Sequence, residues 1–133
     1  VANNVKYSTA LKNARLDLIT SQVGAAGLLR IYDGAQPASP NTAVGAQVKL
    51  LEFTCGSPFA AASSAGVLTA NAITANVGLA NSTAAWFRLC TAGGTAVVDG
   101  TVGTGGTDLI IASTTITVGQ NVSVSSLTIT SAN

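Results

Sequence analysis

Only one stretch of the chain, residues 8–23, carries apolar residues at helical spacing. From Gly24 onward every apolar run is short, rich in β-branched or aromatic residues, and closed within a few positions by Gly, Pro, Asn or Ser. A parallel α/β sheet needs a helix between its strands, and none is legible after residue 24. The pattern therefore predicts a mainly β fold with a single N-terminal helix. Leu11, Ala14 and Leu18, with Ala10 and Ile19, fall on one helical stripe, and Lys12, Asn13, Asp17 and Gln22 lie between them. This predicts a helix over 8–23 with that stripe buried, Ser8 as its N-cap and Gly24 as its left-handed C-terminal residue.

The strands follow from the turn signals. LLRIYD (28–33) reads as a strand, and Asp33-Gly34 then opens a Pro-containing loop that lasts until Val48. In VKLLEFTC (48–55) the polar/apolar contrast is poor, and Leu51 and Phe53 are taken as inward. Residues 56–83 are Ala/Ser/Asn-rich and suggest only short strands near 67–69 and 72–77. AAWFRLC (84–90) puts Trp86 and Arg88 on one face and Phe87 and Leu89 on the other. Gly93-Gly94 and the 103–106 Gly cluster read as tight reversals, and Gly119-Gln120-Asn121 separates the last two strands. The closing segment alternates Val122, Val124, Leu127 and Ile129 with one step out of phase, which a bulge at Ser125-Ser126 repairs. Seven or eight such strands fit an antiparallel β-sandwich of jelly-roll type, in one domain spanning 8–133 after an arm of residues 1–7.

Composition removes whole classes of function. The 133 residues include 6 Lys+Arg, 5 Asp+Glu and no His, for a formal net charge of +1. The six cations are scattered, which argues against nucleic-acid binding through phosphate neutralisation. No window approaches the ~20 apolar residues of a membrane span, and the start lacks the apolar stretch of a signal peptide, so a soluble protein is expected. Cys55 and Cys90 are too few for a disulfide framework or a zinc site, and no metal or cofactor is expected. Two buried thiols is the favoured reading, with a bridge between neighbouring strands as its competitor.

Catalytic constellations fare no better. A Ser or Cys nucleophile generally needs an imidazole to take its proton, and the chain has none. The carboxylates Asp17, Asp33, Glu52, Asp99 and Asp108 can always supply a pair, so their presence does not identify a glycosidase. Asp33 and Asp99 each precede a Gly, the residue order of a tight turn. DGTVGTGGTDLI (99–110) lacks the Lys-Ser/Thr of a phosphate-binding loop and the tandem repeats of a calcium nonapeptide, and a hairpin turn explains it better. Asn81-Ser82-Thr83 and Asn121-Val122-Ser123 match the glycosylation triplet, as chance supplies in a chain this rich in Asn, Ser and Thr. Trp86 reads as core or interface, or as the stacking platform of a carbohydrate-binding module. No enzyme activity is expected.

The order YSTALKNARLDLI, LLRIYDGAQPAS, WFRL and DGTVGTGGTDL, closed by an alternating strand, resembles a family of small structural proteins of tailed bacteriophages, the capsid decoration or cement proteins. The resemblance is densest over 7–37 and 86–108 and rests on turns and core positions. It implies a jelly-roll-like sandwich, no catalysis, and a place on the outer capsid surface of a virion assembled in the bacterial cytoplasm. The implied partners are the major capsid protein and further copies of this chain. Contact residues are expected in the arm, at Val1, Asn3, Asn4, Val5, Lys6 and Tyr7, at Trp86, and along strand edges. A tail-associated adhesion or carbohydrate-binding module is the alternative.

Overall fold

The computed structural model describes residues 4–131. It is mainly β, with helix α1 (Thr9–Val23) followed by β1 (Leu28–Tyr32), β2 (Lys49–Thr54), β3 (Val67–Thr69), β4 (Asn76–Val77), β5 (Ser82–Thr83), β6 (Trp86–Cys90), β7 (Ala96–Gly103), β8 (Leu109–Ile111), β9 (Thr115–Ile116), β10 (Asn121–Val122) and β11 (Val124–Thr130). Seven strands form one sheet in the order β2-β1-β6-β7-β8-β11-β3, and β4 with β10 and β5 with β9 form two small sheets. The bulge expected in the last strand is present: the β11/β8 register slips between Val124 and Ser126.

The ends of α1 are those the sequence predicts. Ser8 Oγ accepts from the Leu11 amide at 3.1 Å, and Gly24, at φ 69°, donates its amide to the Thr20 carbonyl. The rotation of the helix is not. Leu11, Ala14 and Leu18 point to solvent with Ala10, while Leu16 and Val23 enter the core and Ile19 packs on its margin. Two apolar stripes compete on this helix, and polar side chains break the tie. Asn13 Oδ1 accepts the Gly66 amide at 2.9 Å and Asp17 Oδ1 the Ser63 amide at 2.8 Å, while the Asn13 carbonyl takes the Ser63 hydroxyl at 2.9 Å. These three bonds turn the Asn13/Asp17 side of α1 onto the 63–66 turn, and Leu16 and Val23 follow inward.

The core lies on one face of the large sheet. Leu29, Ile31, Leu51, Phe53, Phe87 and Leu89 of β1, β2 and β6 meet Phe59, Leu68, Leu109, Ile111 and Leu127, with Leu16 and Val23 above. Ile116 of β9 and Val122 of β10 join the same cluster. At about 25 cal/mol per Å² of apolar area, side chains of this size each contribute roughly 1.5–3 kcal/mol when fully buried.

One turn differs from its expected form. The Gly103–Gly106 cluster does not make a hairpin: β8 runs parallel to β7, pairing Val102 with Leu109 and Gly103 with Ile110. The chain closes a full loop because the Asp108 carboxylate accepts both the Thr101 amide and hydroxyl at 3.0 Å, fixing the loop's end beside its beginning.

Both outer edges of the large sheet are covered. The Leu79 amide donates to Leu50 O and Asn76 Nδ2 to Glu52 O along β2, and bridges from Ala60 and Ser64 cap β3. Unpaired edges template aggregation, and here the chain's own 59–64 and 76–79 segments occupy them.

Candidate functional site

The sheet face opposite the core carries the chain's ion pairs among the described residues. β2, β1, β6 and β7 each place one charged residue mid-strand, and the registers set them opposite one another: Glu52 faces Arg30, Arg30 faces Arg88, and Arg88 faces Asp99. Like charges directly opposed repel. The repulsion is relieved because each guanidinium turns to its own carboxylate, Arg30 Nε to Glu52 at 3.0 Å, and Arg88 to Asp99 through Nε at 2.7 Å and Nη2 at 2.8 Å. Lys49 Nζ adds a second contact to Glu52 at 2.8 Å.

The two ends of this ladder differ in setting. The Arg30 and Glu52 side chains are 26% and 31% exposed, whereas Arg88 and Asp99 are 7% and 2% exposed. Residues 33–48 fold over the buried end: Arg88 Nη2 reaches the Ser39 carbonyl and Trp86 Nε1 donates to the Asp33 carbonyl at 3.0 Å. Trp86 stacks on Tyr32 with centroids 4.6 Å apart, and the Arg88 guanidinium lies 5.4 Å from the indole. A bidentate buried pair is costly to break. Removing one member strands the other's charge, a loss of about 3–5 kcal/mol.

Asp99 therefore sits in mid-strand rather than in the turn that Asp-Gly suggests. Gly100 follows it because a Cβ there would fall 2.5 Å from the Phe87 ring. Asp33 does leave its strand through a turn, with Gly34 at φ 72°. Its carboxylate accepts the Val48 amide at 2.6 Å and the Ser82 hydroxyl at 2.8 Å, which pins both ends of the 33–48 segment. That segment, Ser82 and Thr83 border an open groove of about 690 Å³, whose charged lining residue is Asp33.

Every Asp and Glu side chain is thus committed to an internal partner: Asp17 to Ser63, Asp33 to Val48 and Ser82, Glu52 to Arg30 and Lys49, Asp99 to Arg88 and Asp108 to Thr101. The Val48 amide and Ser82 hydroxyl hold Asp33 below the usual carboxylate range, and the Ser63 amide does the same for Asp17. Glu52 is lowered by the hydrogen bond from Lys49, against its partial burial. Among the described residues no cluster of three His, Cys, Asp or Glu gathers, and no helix is long and apolar enough to cross a membrane.

Cys55 and Cys90 are both free and buried. Cys55 belongs to the core cluster, while Cys90 lies on the opposite face beyond β1, so the alternative of a bridge between them does not hold. Burial pushes the Cys55 thiol up to about 11 and raises Cys90 as well.

Of the contact residues expected from the sequence, Val1 and Asn3 lie outside the described residues, and Asn4, Val5, Lys6 and Tyr7 are all exposed. Trp86 is 1% exposed, its ring consumed by Tyr32 and its indole N–H by Asp33. It is not part of the same surface as the arm. Sequence reasoning missed the charge ladder, although its signal is visible: LLRIY, WFRLC and AVVDGTVG each hold one charge and KLLEFT two, set among apolar residues. The outward stripe of α1, reached from the arm through Tyr7 against Arg15 at 4.8 Å, was also missed. No family model matches the chain, and neither the curated proteins nor the solved structures contain a match to it.

Proposed function

We propose that this chain is a non-enzymatic structural protein of a tailed-phage virion that binds the outer capsid surface and cements neighbouring major capsid subunits. The observation that carries the reading is the division of the molecule's side chains. Its side-chain carboxylates are spent on holding the fold, while the arm and the outward side of α1 offer Val5, Tyr7, Leu11 and Leu18 to a partner. The resemblance of 7–37 and 86–108 to decoration proteins points the same way. A jelly-roll-like sandwich is the finer architecture proposed with it, supported by Ile116 and Val122, which bring the two small sheets onto the core of the large one.

The mechanism is thermodynamic clamping. A protein that binds the assembled shell and not the free subunit stabilises the shell by its own binding free energy, repeated over many copies. Individual contacts can be weak if each copy touches two capsid subunits or a second copy of itself. Assembly in the bacterial cytoplasm agrees with two free thiols. The test is the melting temperature of shells stripped of this protein. Adding the purified chain is expected to raise it saturably, and an unchanged melting temperature at saturating protein contradicts the proposal.

A further inference from the structure

Helix α1 has an outward apolar face that the fold leaves uncovered. Leu11 and Leu18 stand seven residues apart, hence two turns above one another, and are 45% and 59% exposed, with Ala14 exposed between them. Tyr7 and Val5, 39% and 64% exposed, extend the stripe beyond the N-cap. The Arg15 guanidinium, 4.8 Å from the Tyr7 ring, ties that end of the arm to the helix, so that residues 7–18 present one surface.

Charge decides what this surface fits. Arg30, Lys49 and Arg88 are all in ion pairs. Lys6, Lys12 and Arg15 are in none among the described residues, and all three lie on the arm and α1. The acid on that element, Asp17, is turned to the Ser63 amide. Lys12 packs beside Gly66, away from the stripe, so the apolar stripe is bordered by Lys6 and Arg15, and its complement is an apolar surface carrying carboxylates.

We infer that the Tyr7–Leu18 face docks onto a carboxylate-bearing apolar surface of a different protein, and not onto a second copy of this chain. Two copies meeting through it would bring the Lys6 and Arg15 charges of both together with no free carboxylate on either face to meet them, since Asp17 is held by Ser63. The stripe is also short. Four large side chains fall well below the roughly 20–30 residues a side of a self-sufficient interface, and suit a contact repeated across a lattice. This inference rests on the cement reading for the identity of the partner, the capsid subunit.

The experiment compares the full chain with L11S/L18S and, separately, R15E, using V118S as an exposed-site control, in binding to stripped shells at low and high salt. Leu11, Leu18 and Val118 are all exposed, so these substitutions leave the core untouched. Light scattering of each free protein is measured alongside. L11S/L18S and R15E are expected to lose about tenfold or more in shell affinity, with V118S equal to the parent and salt weakening the parent more than R15E. If L11S/L18S and R15E bind as the parent does, the inference falls while the cement reading stands. If L11S/L18S instead dissolves a self-associated form in free solution, the face belongs to a second copy and the inference falls. If the parent itself does not bind shells, the cement reading fails, and this inference with it.

Discussion

Asp33 and Glu52 illustrate how single side chains set the behaviour of the molecule. Each carboxyl binds its proton less tightly in the folded chain than in the unfolded one, Asp33 through the Val48 amide and Ser82 hydroxyl, Glu52 through Lys49 and Arg30. As pH falls through the ordinary carboxylate range the unfolded state takes up protons first, and the folded state is penalised until its own depressed pKa values are passed. Stability is thus expected to be level from neutral pH to about 5 and to fall below it. Asp33→Asn should lower stability at neutral pH and flatten part of the acid slope. Urea titrations at three pH values check this, and an unchanged slope in the variant would contradict the assigned role. The ladder on which Glu52 sits was legible residue by residue but not as a unit. Register is set by long-range pairing, which brings Arg30 opposite Arg88 from 58 positions away.

At the scale of elements, the two faces of α1 give the sharpest contrast. Leu16→Ala removes a core side chain and is expected to cost about 2–5 kcal/mol, whereas Leu18→Ala should stay within about 0.5 kcal/mol. Denaturant titration of the two variants measures this, and a larger cost at Leu18 than at Leu16 would mean that the helix is rotated as the 11/14/18 stripe suggests. The ends of α1 were readable because capping is local: Ser8 and Gly24 act on their own turn. Its rotation was not, because it depends on Asn13 and Asp17 meeting residues 63–66, about fifty positions away. Strands β1 and β6 and the Ser125 bulge were legible from alternation. The parallel entry of β8 was hidden, since Gly-rich turns permit many paths and the Asp108–Thr101 tie selects one. Asp99-Gly100 misled for a related reason, because Gly stands there to clear Phe87 and not to turn the chain.

For the whole molecule, the distribution of polarity is the main lesson. The Arg88–Asp99 end of the charge ladder is buried beneath the 33–48 segment, both edges of the large sheet are capped by the chain itself, and an apolar stripe is left on the arm and helix beside cations that form no ion pair among the described residues. A sheet closed at its edges resists pairing with other sheets, which is why the proposed docking surface is placed on the helical side. Strand edges, expected from the sequence to make contacts, are for this reason less suited to docking than residues 4–18. The exposed face of α1 was not legible, because the sequence stripe Leu11, Ala14 and Leu18 was assigned to the core. The most direct measurement is cryo-electron microscopy of purified particles from the source, with mass spectrometry to count copies of this chain. The account predicts hundreds of copies in an ordered lattice on the shell with the α1 side against the capsid, and a handful confined to the tail, or none, would contradict it.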